Sequence, residues 1–191
     1  MILGITGISG SGKHTAADFL KQKGWVVLDA DKIAHYLYRP YTSLWKAIVK
    51  EFGEDILTEK DKIDRQKLGK IVFNTNNPEA LLTLNKITHP EIKRYLKDEL
   101  YHLRKKPNII IIAALWKEIG ILGLCDKMLL INANKDLAFD RIKKRDGIEK
   151  EMYNIRIKNQ IIPPNPDFTV DNEGDFQELY KSLNQLPIQT K

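Results

Sequence analysis

Short runs of apolar residues alternate with longer stretches in which apolar residues recur at helical spacing. The apolar runs are too short for buried helices and too continuous for half-exposed strands, so they predict parallel strands that are covered on both faces. Four runs predict strands at Met1–Thr6, Trp25–Leu28, Asn108–Ala113 and Lys127–Ile131, and a weaker run predicts a fifth strand at Phe168–Asp171. The pattern therefore predicts an α/β fold.

Helical spacing fills the intervals between these runs. Lys13–Lys23 precedes Gly24, a typical residue after a helix end, so a strand–loop–helix–strand unit opens the chain. The stretch from about 41 to 106 has no strong strand pattern and predicts a helical insertion between the second and third strands. Further helices are predicted at Lys32–Tyr38, Asp136–Arg145, Lys150–Gln160 and Phe176–Leu186.

The length, charge and cysteine count of the chain limit the classes of function that it can have. The 191 residues fit one domain with an inserted part, and the net charge of +6 favours a polyanionic ligand such as a nucleotide. Cys125 is the only cysteine, which excludes an internal disulfide and a CxxC metal site. No apolar run reaches the length of a membrane span, and the N-terminus lacks the basic flank of a signal peptide, so we expect a cytoplasmic protein.

A phosphate-binding loop directly follows the first predicted strand. Gly7 to Lys13, GISGSGK, matches the GxxxxGK pattern and leads into a predicted helix. In such loops, backbone N–H groups surround phosphate oxygens, the helix N-terminus adds its partial positive charge, and the lysine reaches the terminal phosphates. The motif in this context predicts nucleoside triphosphate binding.

His14 stands where the loop usually has Ser or Thr. The usual hydroxyl is a ligand of Mg²⁺, which prefers oxygen to the nitrogen of an imidazole. Thr15 follows at once, and its hydroxyl can reach phosphate or a metal-bound water. The interpretation favoured by the sequence is that His14 is a tolerated helix residue.

Two carboxylates, Asp29 and Asp31, stand at the end of the second predicted strand. Ligands of open α/β sheets bind at the carboxyl ends of strands, so both are candidates for the metal and for the catalytic base. One of them could instead cap the following helix. The third strand ends in Ala113 and Ala114 without an acid, and Glu118 is a weaker metal candidate.

Beyond the loop, longer stretches of the chain resemble the dephospho-CoA kinase family. The resemblance is carried, in order, by TGISGSGK, VVLDADKIAHYLYRP (26–40), KIDRQKLGKIVF (62–73), LNKITHPEI (84–92), AALWKEIGILGLCDKMLLINA (113–133), DRIKKRDG (140–147), RIKNQ (156–160) and VDNEG (170–174). It implies a P-loop NTPase-type three-layer fold with a five-stranded parallel sheet. It also implies a helical substrate-binding insertion at about 41–106 and a lid at about 140–166.

The resemblance implies that ATP and Mg²⁺ are the cofactors and that the γ-phosphoryl of ATP goes to the ribose 3′-hydroxyl of dephospho-CoA. By position, the residues that would bind ATP are Gly10, Ser11, Gly12, Lys13, His14, Thr15 and, near the adenine, Asn172. The residues that would bind dephospho-CoA are Asp29, Arg65, His89 and Pro90. The catalytic group would comprise Lys13, Asp31 as base, Arg141 and Arg145, with Thr15 and Asp31 at the metal.

Departures from the family pattern leave alternatives open. Besides His14, Ala114 replaces a common proline, and the segment from Gln160 to Asp167 contains prolines but no Arg or Lys. Another nucleoside or nucleotide kinase of the same fold and a non-catalytic nucleotide-binding regulatory protein are the competing functions. Nucleic-acid binding is supported only by the net charge and is not predicted.

Individual motifs also allow simpler interpretations. The arginines from Arg141 to Arg145 could form a solvated helix face, and His89 before Pro90 could mark a turn, because the residue before proline disfavours helical geometry. Arg65 after Asp64 could be a surface ion pair. No oligomeric state is predicted.

Overall fold

A computed structural model describes residues 1–74, 77–158 and 160–188. Five strands form one sheet, at Ile2–Thr6 (β1), Val26–Asp29 (β2), Ile109–Ile112 (β3), Lys127–Asn132 (β4) and Phe168–Asp171 (β5). Their order is β2-β3-β1-β4-β5, and every neighbouring pair is parallel. The predicted parallel sheet is confirmed, including its weak fifth strand.

Nine helices of four or more residues accompany the strands in the described part of the chain. They are α1 (Lys13–Gln22), α2 (Ala30–Leu37), α3 (Ser43–Phe52), α4 (Arg65–Val72), α5 (Pro78–His102), α6 (Trp116–Ile119), α7 (Lys135–Asp146), α8 (Lys150–Lys158) and α9 (Phe176–Gln185). Position 159, inside the predicted helix Lys150–Gln160, lies outside the described residues. The suggested turn at His89–Pro90 is wrong, because both residues lie within α5.

The sheet is covered on both faces because successive side chains of a strand point to opposite sides. Leu3 and Ile5 of β1 belong to a buried cluster that includes residues of α1 and α9, such as Leu20 and Leu183. On the opposite side, Gly4 lies against Trp116 and Met128. All four isoleucines of β3 are buried, as the continuous apolar run predicts. This arrangement confirms the three-layer α/β fold.

The chain divides into two compact units. The first unit, Met1–Ala30 with Glu99–Lys191, contains the sheet; the second unit, Asp31–Asp98, is helical. The second unit has a single antiparallel bridge between Leu57 and Ile63 among its described residues and no longer strand. The bounds 41–106, and a role of this part in substrate binding, stay predictions. No helix within the described ranges is long and apolar enough to cross a membrane.

Candidate active site

The phosphate loop joins β1 to α1 and is tightly packed in the first unit. Gly10 and Gly12 have φ angles of 87° and 99°, in the region that favours glycine. A Cβ atom at Gly10 would lie 2.2 Å from the Ala138 carbonyl oxygen, and one at Gly12 would lie 2.2 Å from Asn172 Nδ2. Both positions therefore require glycine, because the loop backbone lies directly against its neighbours.

Lys13 begins α1 and is buried. Its ammonium group donates hydrogen bonds to the carbonyl oxygens of Gly7, at 2.8 Å, and Ile8, at 3.0 Å. The charge is thus held within the turn of the loop. A buried ammonium group in this position provides positive charge for phosphate oxygens.

Asn172, predicted near the adenine, supports the loop from the end of β5. Its buried side-chain amide donates a 2.7 Å hydrogen bond to the carbonyl oxygen of Ser11. The Ser11 hydroxyl oxygen is also buried and has no hydrogen-bond partner among residues 1–74, 77–158 and 160–188. A buried hydroxyl without a protein partner is suited to contact a ligand.

Arg141 lies on α7 and binds main-chain carbonyls of the same supporting segment. Its guanidinium donates to the carbonyl oxygen of Asn172 at 3.1 Å and to that of Gly174 at 3.3 Å. Arg141 therefore stabilises the segment that carries the Asn172 amide. Arg141 is half-buried and bound to these carbonyl oxygens, whereas a role at phosphate stays a prediction.

Ser9 is fixed by two side chains that the sequence did not identify as site residues. The hydroxyl of buried Tyr153 donates to the Ser9 carbonyl oxygen at 3.0 Å, and the Ser9 N–H donates to Gln160 Oε1 at 2.9 Å. The Tyr153 ring packs on Phe139 with centroids 5.4 Å apart. Gln160 belongs to the RIKNQ motif of the resemblance, which was the only signal in the sequence.

His14 and Asp29 form a pair beside the loop. His14 Nε2 lies 2.9 Å from Asp29 Oδ2, with the His14 side chain 46% exposed and the Asp29 side chain 5% exposed. β2 ends at Asp29, and α1 carries His14 in its first turn next to half-buried Thr15. The sequence did not predict this contact, and the interpretation that His14 is a tolerated helix residue stays a prediction.

Arg145, at the end of α7, is bound to a carboxylate. Its Nε and Nη2 atoms donate to the two oxygens of Asp146 at 2.6 and 2.7 Å, and Arg156 Nη1 lies 3.5 Å from Asp146 Oδ2. The hydrogen bond from Arg145 holds the pKa of Asp146 below its usual value. We call Arg145, Asp146 and Arg156 the arginine cluster.

Comparisons with known proteins give a result consistent with the phosphate loop and the parallel sheet. The family model described as dephospho-CoA kinase matches residues 1–177. The chain belongs to the dephospho-CoA kinase family. This match confirms the resemblance that the motifs carry.

Relatives of the family match along most of their length. A dephospho-CoA kinase of Lactobacillus johnsonii is 35% identical over 190 residues, with 96% of this chain and 95% of that protein covered. One of Aquifex aeolicus is 34% identical, with 96% and 94% covered. The crystal structure of a Thermus thermophilus protein superposes with a TM-score of 0.78 at 29% identity, covering 96% of this chain and 94% of its own. A dephospho-CoA kinase of Campylobacter jejuni gives a TM-score of 0.69 at 26% identity with the same coverage.

Several family-motif residues lie in the second unit. Asp31 is exposed in the first turn of α2. Arg65 begins α4, whose N-cap is Asp64: one carboxylate oxygen of Asp64 accepts from Gln66 N and Lys67 N at 2.9 and 3.1 Å. Asp64 therefore serves as a helix cap.

Tyr38 links two of the dephospho-CoA kinase motifs within this second unit. Burial raises the pKa of Tyr38, while the nearby charge of Arg65 and a hydrogen bond with the Thr88 side chain act to lower it. Thr88 is buried and directly precedes His89 and Pro90 on α5. The structure thus places Thr88 in hydrogen-bond contact with Tyr38 and the charge of Arg65 near the same tyrosine, which the sequence did not indicate.

Proposed function

We propose that this protein transfers the γ-phosphoryl group of ATP to the ribose 3′-hydroxyl of dephospho-CoA, giving coenzyme A and ADP. The observation that carries the proposal is the family match over residues 1–177. The phosphate loop at the carboxyl end of the central strand supports it independently, because this is where α/β proteins bind phosphate.

ATP is proposed to bind through the loop from Gly10 to Thr15, with Asn172 on its adenine side. The buried Lys13 ammonium and the Ser11 hydroxyl are the polar groups of the loop that we propose to contact phosphate. In this structure Asn172 donates to the loop carbonyl of Ser11, which supports a role in shaping the ATP site. A loop shaped before ATP arrives binds without the cost of ordering it.

Asp31 is proposed as the base that accepts or orients the proton of the acceptor hydroxyl. Of the two acids, Asp29 is buried against His14, whereas Asp31 is exposed in the first turn of α2. An exposed carboxylate can meet an incoming hydroxyl without rearrangement of the sheet edge. General base catalysis requires such contact within hydrogen-bond reach.

We propose that a divalent cation, Mg²⁺, binds together with ATP. The Asp31 carboxylate and the Thr15 hydroxyl are oxygen donors of the kind that Mg²⁺ takes, and the nitrogen of His14 is not. When bound, the cation neutralises charge on the β- and γ-phosphates. Thr15 and Asp31 are the residues that we propose to hold it.

Arg141 and Arg145 are proposed to place positive charge around the migrating phosphoryl group. Arg145 is surface-exposed and bound to Asp146, so a phosphate can take the place of that carboxylate at little cost. Arg141 is proposed to act from behind the loop while it holds the carbonyls of Asn172 and Gly174. The segment 140–166 is proposed as the lid that carries these arginines.

The helical insertion, about 41–106, is proposed to bind dephospho-CoA. Arg65 supplies a cation for the substrate phosphates, and His89 and Pro90 directly follow Thr88, whose side chain forms a hydrogen bond with Tyr38 near the charge of Arg65. Asp29 completes the proposed substrate residues. The net charge of +6 favours a substrate with several phosphates.

The test is transfer to dephospho-CoA in the presence of ATP and MgCl₂, with products separated by liquid chromatography and identified by mass. We expect coenzyme A and ADP in equal amounts, and slower transfer to adenosine, AMP and other nucleosides. Faster transfer to another acceptor would favour a different kinase of this fold. Tight ATP binding without transfer to any acceptor would favour a regulatory protein.

Asp31→Asn tests the base. We expect turnover to fall by about two to four orders of magnitude, because a general base contributes that much. The dissociation constant of ATP, measured by calorimetry, should change little. Turnover near that of the wild type would remove Asp31 from the proposed role.

A further inference from the structure

Gln160 connects the segment after α8 to the phosphate loop. Its Oε1 atom accepts the 2.9 Å hydrogen bond from Ser9 N–H, and its own backbone N–H donates to the Ile157 carbonyl oxygen at 3.0 Å. Because the partner on the loop is a donor, the carboxamide must turn its oxygen, and not its nitrogen, towards Ser9. Gln160 is therefore fixed at both ends, through its backbone to α8 and through its side chain to the loop.

The Ser9 N–H that binds this side chain is itself held in place by the loop. It belongs to the peptide bond whose oxygen is the Ile8 carbonyl, and that oxygen accepts from Lys13 Nζ at 3.0 Å and from Ser11 N–H at 3.1 Å. A peptide bond is planar, so the bonds at its oxygen also set the direction of its N–H. The carboxamide of Gln160 is thus positioned by a rigid donor.

A cavity of about 420 Å³ lies beside this contact. Its lining consists of two cations, two carboxamides and two apolar side chains, namely Lys135, Lys158, Asn154, Gln160, Ile8 and Ile157. Positive charge and N–H donors suit an anion, and the cavity adjoins the loop that we propose to bind the ATP phosphates. The segment from Gln160 to Asp167 contains no Arg or Lys, so the donor that it brings to this cavity is the carboxamide of Gln160.

We propose that the Nε2 amide of Gln160 donates a hydrogen bond to the γ-phosphoryl group of ATP and stabilises it during transfer. The inference rests on the proposed function of the loop. A carboxamide carries its acceptor and its two donor hydrogens on separate atoms, so Gln160 can bind the loop through Oε1 and phosphate through Nε2. A donor that is fixed before the reaction stabilises the charge of the migrating group without reorganisation. Gln160 keeps its protons throughout, and no covalent bond to it forms or breaks.

Gln160→Glu separates the contact with the loop from the contact with phosphate. The carboxylate has nearly the same shape and still accepts from Ser9 N–H, but it has no N–H to donate and it repels phosphate. We expect kcat to fall by about a hundredfold to a thousandfold, as for the loss of one preorganised donor. The melting temperature and the protection of the Ser9 amide from hydrogen exchange, measured by NMR, should stay at the wild-type values. Near-normal turnover in this variant would overturn the inference.

Two further variants complete this experiment. Gln160→Ala removes the acceptor together with the donor, so we expect a similar loss of turnover and, in addition, faster hydrogen exchange of the Ser9 amide. Gln22→Glu adds the same charge at the exposed far end of α1 and is the control, which should keep normal turnover. A loss of turnover in Gln160→Ala but not in Gln160→Glu would mean that the side chain acts only through the loop, and the inference would be wrong.

Nucleotide affinity distinguishes this inference from the proposed function. Calorimetry compares ADP with an ATP analogue that has a β,γ-methylene bridge and is not hydrolysed. We expect Gln160→Glu to weaken binding of the analogue at least about tenfold more than binding of ADP, because a hydrogen bond to a charged group contributes that much. Equal weakening of both nucleotides would contradict the inference while coenzyme A formation still supports the function. Conversely, selective weakening of the analogue in a protein that forms no coenzyme A would support the inference and refute the function.

Discussion

The phosphate loop and the arginine cluster are both parts of the proposed catalytic machinery, yet they are stabilised in opposite ways. The loop is held by buried hydrogen bonds from Lys13, Tyr153 and Asn172 to main-chain carbonyls. The arginine cluster is held by ion pairs at the surface, with Arg145 57% exposed. Buried bonds are costly to leave unmade and exposed ion pairs contribute little, so the loop is rigid and the cluster is free to exchange partners.

The largest effect that we expect is a loss of turnover in the arginine cluster without a matching loss of stability. Arg145→Ala should lower turnover about a thousandfold, because an arginine on the migrating phosphoryl contributes about that much. The free energy of unfolding, measured in urea, should change by less than about 1 kcal/mol, because only an exposed ion pair is lost.

The control for this prediction is Lys127→Ala. Lys127 is a similarly exposed cation that pairs with Asp167, but it lies at the start of β4, away from the carboxyl edge of the sheet. We expect near-normal turnover from this variant. A loss of turnover in Arg145→Ala that follows a loss of stability would contradict the comparison between the two regions.

Substitution of a residue that supports the phosphate loop should instead lower the stability of the protein. Asn172→Ala leaves the Ser11 carbonyl oxygen buried without its amide donor, which should lower the free energy of unfolding by about 2 kcal/mol. We also expect the KM for ATP to rise. Urea unfolding and initial rates at varied ATP measure the two effects.

Asn132→Ala is a matched control for Asn172→Ala. The Asn132 amide donates a bond of the same 2.7 Å length, to Asp171, but this bond is exposed. We expect a loss below about 0.5 kcal/mol, as for a typical surface substitution. Equal losses at the two asparagines would show that burial does not distinguish the loop supports.

Tyr153→Phe removes one hydroxyl and keeps the ring on Phe139. The Ser9 carbonyl oxygen loses its donor, so the free energy of unfolding should fall by about 1 kcal/mol. Tyr180→Phe is the control, because the contact of Tyr180 with Phe19 is made by stacked rings 4.3 Å apart. Thermal melting of both variants measures the difference, and a stability equal to that of the wild type would remove Tyr153 from the loop supports.

The smallest effect concerns the pH dependence of the arginine cluster. Because the pKa of Asp146 is lowered in the folded protein, its ion pairs stabilise the fold above the carboxyl's unfolded pKa, about 4. This contribution to the free energy of unfolding is lost as the pH falls through the lowered pKa of Asp146. Asp146→Asn should therefore be less stable than the wild type by under about 1 kcal/mol at pH 7, and the difference should vanish in acid. A constant difference across this range would argue against the ion pair as its source.

The sheet could be predicted from the sequence because each of its strands is a local signal. The β3 run IIII has no polar residue, so it fits only a strand that is buried on both faces. The spacing of the loop glycines in turn identifies the phosphate-binding turn after β1. By contrast, Pro90 was a poor guide to α5. The preference of the residue before a proline is statistical, and buried neighbours such as Ile92 and Leu96 keep the helix continuous.

The missed site contacts have a common cause. His14 and Asp29, Ser9 and Tyr153, and Tyr38 and Thr88 are each far apart in sequence, and no periodicity links the partners. Their contacts depend on how helices pack on the sheet and on one another, which single residues do not encode. The family motifs marked many of these positions without indicating which side chains meet.

The central place of β1 has a consequence for how the chain folds. Ile2 pairs with Ile109 and Leu3 with Lys127, so β1 acquires its two neighbours only from segments that lie far along the chain. Closing such long loops makes folding slow, since the entropy is lost before the pairing compensates for it. The phosphate loop, which directly follows β1, can therefore take its final shape only after the chain as far along as Lys127 has been synthesised and has joined the sheet.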